Sequence, residues 1–339
     1  MRKRTLIPLL IVLAVLVALG IAFYLRTKSP PEAARLLPES DAIVYVHLKT
    51  VRTVTHFDTT PVQRSGDLQR FIDATGIVPD RDIDDAAFAL HRMANPNGPN
   101  GPVAYSEVFV GRFDGQRLAK YLASIATARE TYAGREIYSI PIEGRTLRVT
   151  QLGYDTIGAS NTPTAEQIHS MLDRSRASAL GTPGSSLLAA RYSEVPLLSQ
   201  AWGIGHIGLP FAKDGYISIL GLQLPLPEDT DLVASLRYSG SVHLRIEEIA
   251  SDPDAAQHTV ETLTTLLNIV RGLGSAEPPS NPADSAMRDV LASITLEHHK
   301  DRALLNASAS LEQIKALTSG GNPTADPQNT VPPPTPLLH

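Results

Sequence analysis

Cysteine is absent from the 339 residues. No disulfide can therefore hold the fold, no thiolate can bind a metal and no thiol can act as a nucleophile. Basic excess is missing too: the formal net charge is -5, which argues against a general nucleic-acid-binding role. Charged residues make up 19%, below the ordinary level of about 25%. Several catalytic signatures are also missing. The chain holds no G-x-S-x-G, no S-x-x-K and no H-E-x-x-H, which weakens a serine-hydrolase or zinc-protease reading. Hydrophobic residues reach 42%, a globular composition with enough apolar surface for a sizeable core.

One long apolar run is present. Leu6 to Leu25 contains no Asp, Glu, Lys, Arg or His. A helix of that length spans roughly 30 Å, the hydrocarbon thickness of a bilayer. Arg2, Lys3 and Arg4 precede it and Tyr24 suits its far interface. A cleaved signal peptide is the rival, with Ala18-Leu19-Gly20 as the cleavage site. The run continues through Ile21, Ala22 and Phe23, longer than the roughly 7–15 residues of a cleaved segment. The reading is an uncleaved anchor contacting the lipid bilayer, with residues 1–4 cytoplasmic, 5–25 transmembrane and the bulk of the chain extracytoplasmic. An exported chain without cysteine is compatible with a bacterial envelope, periplasmic in a Gram-negative cell.

Proline-containing residues 26–39 read as a linker, 40–180 as a first lobe, 181–319 as a second and 320–339 as a disordered tail with six prolines. "DAIVYVHLK" (Asp41–Lys49) is strand-like with both faces expected buried. A short helix carries Leu68, Phe71 and Ile72 and ends at Gly76. Paired strands are expected at Asp85–His91 and Val103–Phe113, around the turn-rich "NPNGPNGP". Asp114 caps a helix with Leu118, Leu122 and Ile125 inward. Runs at Glu136–Pro141, Thr146–Gln151 and Tyr154–Ser160 suit an antiparallel meander, and Thr162-Pro163 is read as starting a helix that buries Ile168, Met171 and Leu172.

Farther on, "GTPGSS" (Gly181–Ser186) is read as the lobe boundary. Strands follow at Tyr216–Leu224, Asp231–Tyr238 and Val242–Ile249. The clearest helix opens at Asp252-Pro253, carries Ala256, Val260, Leu263, Leu267 and Val270, and is read as closing at Gly272 and Gly274. A further helix at Ala283–Leu291, a hairpin and a last helix to Leu317 follow. The expected class is α+β: antiparallel sheets with amphipathic helices packed on them, in two lobes, behind one transmembrane helix.

"LLPESDAIVYVHL" (Leu36–Leu48), "VFVGRFD" (Val108–Asp114) and "YAGREIY" (Tyr132–Tyr138), with the meander and helix that follow, resemble a family of uncharacterised bacterial membrane-anchored extracytoplasmic domains. The match covers about residues 36–176. It implies location and fold style, and brings no catalytic residues.

Three motifs invite chemistry. "GIGHIG" (Gly203–Gly208) fits a dinucleotide fingerprint, but Pro210 follows and no helical period begins, so a glycine-rich strand or turn accounts for it better. "DRDIDD" (Asp80–Asp85) lacks the glycine and closing glutamate of a calcium loop and reads as a turn with solvated acids. His298-His299 on a strand point to opposite faces and cannot chelate one ion. No catalytic, metal or cofactor-binding residue is assigned.

The suggestive surface is the hairpin Asp231–Ile249. Its polar face carries His243, Arg245 and Glu247, joined by Arg237 if the register allows. The functional reading is a non-catalytic binding or envelope-interaction module whose ligand or partner face is Arg237, His243, Arg245 and Glu247, the partner an envelope protein. The alternative is an envelope hydrolase without a motif.

Overall fold

A computed structural model describes residues 29–59, 64–98, 101–177, 184–207, 216–219, 222–225, 230–275 and 279–319. The apolar run Leu6–Leu25, the start of "GTPGSS" and the tail from Gly320 lie outside the described residues. Among the described residues no helix is long and apolar enough to cross a membrane.

The first half runs α1 (Glu32–Arg35), β1 (Ala42–Val46), α2 (Leu48–Thr55), α3 (Gly66–Thr75), α4 (Pro79–Asp82), β2 (Ile83–Arg92), β3 (Val103–Gly111), α5 (Gly115–Ile125), β4 (Ala128–Tyr132), β5 (Arg135–Ile142), β6 (Arg145–Gln151), β7 (Thr156–Ser160) and α6 (Glu166–Ala177). The second runs α7 (Ser186–Arg191), a 3-10 turn (Tyr192–Glu194), β8 (Ala201–Ile207), β9 (Tyr216–Ile219), β10 (Leu222–Pro225), β11 (Thr230–Tyr238) and β12 (Val242–Ile249). It ends with α8 (Pro253–Ser275), α9 (Pro282–Ser293), β13 (Thr295–His299), β14 (Arg302–Ala309) and α10 (Leu311–Ser319).

Twelve strands form one sheet in the order β13-β14-β12-β11-β8-β1-β2-β3-β7-β6-β5-β4, and every neighbouring pair is antiparallel. The fold is α+β, built on this one large antiparallel sheet. The two halves of the chain meet where β1 pairs β8, with Tyr45 opposite Trp202. β9 and β10 make a separate hairpin. The single strand expected at Tyr216–Leu224 is thus two.

Side-chain alternation divides the sheet into two faces. On the first, Ile43, Tyr45, Ala87, Val108, Trp202, Ile204 and Val233 are buried in one core with Leu37, Ile168, Met171 and Leu188 from flanking segments. On the second, Tyr138, Ile140, Val149 and Ala159 pack with Leu118 and Leu122 of α5 in a smaller core. Local chemistry sets the helix ends. Ser65, Asp114, Ser185 and Asn281 each accept a backbone N–H at a helix start, and Gly76, at φ 75°, supplies the left-handed turn that ends α3.

Several expectations are corrected. Residues 29–39 are more than a linker: α1 lies there, and Ala33, Ala34, Leu36 and Leu37 are fully buried. β1 is buried on one face only, with Val44 39% exposed, because no core residue lies over it there. Ile125 is exposed at the last turn of α5. α6 starts at Glu166, four residues after Thr162; the Thr162 hydroxyl bonds Ser160 and the Thr164 carbonyl instead. Helix α8 passes through Gly272 and Gly274 to Ser275, and of its expected stripe only Ala256 is fully buried. β4 and α7 had no counterpart in the sequence reading.

Candidate functional site

The register of β11 against β12 sets Arg237 opposite His243 and Ser235 opposite Arg245. Opposed residues share a face, so Arg237, His243, Arg245 and Glu247 all lie on the first face, as the alternation implied. β14 adds a residue that sequence reasoning missed. Arg302, opposite Ile249, reaches Glu247 and also bonds Glu194 at 2.9 and 3.2 Å. Arg245 donates to the other Glu247 oxygen at 2.8 Å.

Glu247 is 3% exposed. Burial alone would raise its carboxyl, but the hydrogen bonds from Arg302 and Arg245 hold it below the ordinary value. Glu194 and Glu247 in turn push Arg302 up, so it stays charged. His243 bonds Ser241 at 3.0 Å. Arg237 is exposed and has no ion pair among the described residues. No signal in the hairpin pointed to Glu194 or Arg302, because they lie 108 residues apart and meet only through the strand order.

A second polar cluster continues along this face. Asp85 accepts the Tyr45 hydroxyl at 2.6 Å and faces His47 Nδ1 at 2.5 Å. Burial would raise the Asp85 carboxyl, yet the His47 and Tyr45 hydrogen bonds leave it below its usual range. Burial and the Asp85 hydrogen bond push the Tyr45 hydroxyl up. Tyr45 stacks on Trp202 with centroids 5.4 Å apart, and Tyr192 meets Trp202 edge-on at 5.4 Å. Tyr192 opens the turn that ends in Glu194, which connects the aromatic group to the Arg302 network.

These contacts correct the reading of "DRDIDD" as solvated acids. Asp82 is 6% exposed, accepts the Val78 N–H and pairs with Arg81. Asp84 pairs with Arg52 at 2.6 Å, and Asp85 with His47. Among the described residues no cluster of three His, Asp or Glu is placed to hold a metal. Gly203 and Gly205 alternate along β8, so of the strand or turn read for "GIGHIG" the described part is a strand; Gly208 lies outside the described residues. A Cβ on Gly205 would lie 2.6 Å from that of Ala42, so glycine there permits the close approach of β1.

Elsewhere, an open cleft of about 540 Å³ is lined by α6 residues including His169, Asp173 and Arg174. His169 stacks on Tyr132 at 3.9 Å and bonds Glu130 at 2.7 Å, so its polar groups are largely engaged with one another.

No family model matches the chain, and no curated protein matches it. Among solved structures, crystal form III of TP0453 is similar at 12% identity and a TM-score of 0.44, over 86% of this chain and 99% of that one. Crystal form IV of TP0453 is similar at 11% identity and 0.42, over 86% and 98%. A likeness at that level leaves function to be argued from the residues.

Proposed function

We propose that the chain is a membrane-anchored, extracytoplasmic binding module without catalysis, held by Leu6–Leu25 and engaging an acidic partner in the envelope through the first face of β11, β12 and β14. The anchor rests on the apolar run, and the resemblance over residues 36–176 supports the same location. The two halves of the sheet, joined at β1 and β8, serve as its two lobes.

One observation carries the reading: Arg237, His243 and Arg245 stand side by side on a sheet face, beside Arg302. The carboxylates Glu247 and Glu194 tie down Arg245 and Arg302, which preorganises them at low entropic cost. Asp301 also lies 4.0 Å from Arg302, so Arg245 and Arg302 are matched by carboxylates and the outward positive charge of the patch is that of exposed Arg237. Such a patch favours acidic partners and rejects basic ones.

The test is cross-linking and pull-down from native membranes with the wild-type chain and Arg237→Glu. Charge reversal should lower recovery of the cross-linked partner at least about tenfold with an unchanged melting temperature. Undiminished recovery would overturn this face as the docking surface. A second reading, an envelope hydrolase, draws on the His47–Asp85 pair, since a carboxylate on Nδ1 leaves Nε2 as a general base. Hydrolysis of ester or amide probes that disappears in His47→Ala would favour it.

A further inference from the structure

The opposite face of the same sheet presents a different chemistry. Cross-strand register places Glu107, Phe88, Val44, Gly203, Ala234 and Ile246 in one row from β3 to β12. The two flanking rows add Leu90 on one side and Leu236 on the other. Over these six strands the three rows hold one other charged residue, Glu248, which is 4% exposed and bonded to Thr259 of α8.

Among the described residues, helices cover the ends of this face, α2 packs on β2 where Ala86 is buried, and the stretch from Val44 to Leu236 is left partly open. α5 packs over β5 to β7 and α3 packs against α5, while α8 and α9 lie against β13 and β14. Val44 is 39% and Leu236 40% exposed between them, and neither hydrophobic core includes a second-face residue of β1, β8 or β11. Gly203 forms a low floor: a Cβ built there would touch only Ile43 O and Val44 Cγ2, both at 3.7 Å. The result is an apolar trough, walled by Val44 and Phe88 on one side and by Leu236 on the other.

Glu107 stands at its margin. It is half-buried beside Phe88 on β2 and Phe109 on its own strand, and it makes no hydrogen bond or ion pair among the described residues. A carboxyl partly withdrawn from water without a partner is costly to keep charged; burial pushes it up accordingly. A cation delivered by a ligand would relieve that cost, whereas an anionic head would be repelled.

The geometry points to a binding site on this face for a free single-chain amphiphile with a primary ammonium head. The head pairs with Glu107 and the chain crosses Phe88, Val44 and Gly203. From β3 to β8 is three strand spacings, about 14 Å, the reach of a twelve-carbon chain. The site lies on the reverse of the sheet from the Arg237 patch and does not depend on it.

A twelve-carbon primary amine with a terminal diazirine, photolysed with the full chain and mapped by peptide mass spectrometry, tests this. Label should fall on peptides of β1, β2 and β8. Excess dodecylamine should suppress it at concentrations at least tenfold lower than dodecanol or dodecanoate requires. Glu107→Gln, which keeps the side-chain shape, should remove the amine's advantage without lowering the melting temperature. Gly203→Leu, which fills the floor, should abolish the label. Label confined to other peptides, equal suppression by all three competitors, or an amine preference that survives Glu107→Gln would each overturn the proposal. The Glu107→Gln result decides the matter even if Gly203→Leu fails to fold.

Discussion

Replacing Arg302 with glutamine removes one charge from the network on β14 and keeps most of the side-chain bulk. Glu247, 4% exposed at its side chain, would lose one of its two guanidinium partners, and Glu194 its only one among the described residues. Breaking a fully buried ion pair on one side costs about 3–5 kcal/mol. Two features reduce that here. Arg302 and Glu194 are 27% and 29% exposed, and Arg245 still bonds Glu247 at 2.8 Å. The expected loss is therefore about 2–3 kcal/mol at neutral pH.

The pH dependence gives an independent check. The folded Glu247 carboxyl titrates below its unfolded value, so the unfolded state binds the proton first and stability rises with pH through that window. Its contribution is complete above the unfolded value and disappears as pH falls through the folded one. Without Arg302 the folded value moves back up, so the loss begins at higher pH and the two stability curves converge in acid. Urea unfolding of the full-length chain between about pH 3 and about pH 8 measures both effects. A loss below about 0.5 kcal/mol at neutral pH, with curves that stay parallel into acid, would refute the claim that this network is desolvated.

Three further outcomes are expected. Glu248, whose Oε2 is buried without a hydrogen bond, has its carboxyl pushed up by burial. Stability therefore declines as pH rises through that folded value, and Glu248→Gln should add about 1–3 kcal/mol at neutral pH and flatten the decline in the same unfolding series. Gly205→Ala would force a methyl to within 2.6 Å of the Ala42 Cβ; denaturation midpoints should fall by the equivalent of about 1–3 kcal/mol. Leu267→Ala on the half-buried side of α8 should cost about 1–2 kcal/mol, against about 0.5 or less for exposed Thr264→Ala. Equal losses at the two positions would mean the helix face is set wrongly.

Local order was legible where one element's own chemistry decides it. Asp114 capping α5 and Gly76 ending α3 are short-range events, written in consecutive residues. The α+β class followed from the same signals, since period-2 runs and helical stripes alternate along the chain. Expectations failed where a neighbour from elsewhere in the chain intervened. Residues 29–39 look like a linker because their prolines are local, while the burial of Leu36 and Leu37 is conferred by β-strands and helices far along the sequence. The acids of "DRDIDD" look solvated until Arg52 and His47, about 30 to 40 residues earlier, arrive to pair with them.

The sequence by itself determined the strand and helix periodicities, the helix caps, the absence of thiol chemistry and the shared face of His243, Arg245 and Glu247, because each depends on spacing of a few residues. Tertiary structure alone decided that the two halves share one twelve-stranded sheet and that Arg302 and Glu194 complete the polar patch. It also set Glu107 at the margin of an apolar row on the reverse side. Those are consequences of strand order. Pairing β1 with β8 brings together residues some 160 positions apart, and loop-closure entropy rises so slowly with length that many such pairings cost nearly the same. Which of them forms is chosen by the summed burial and hydrogen bonding of the whole sheet, a quantity no single stretch of sequence contains.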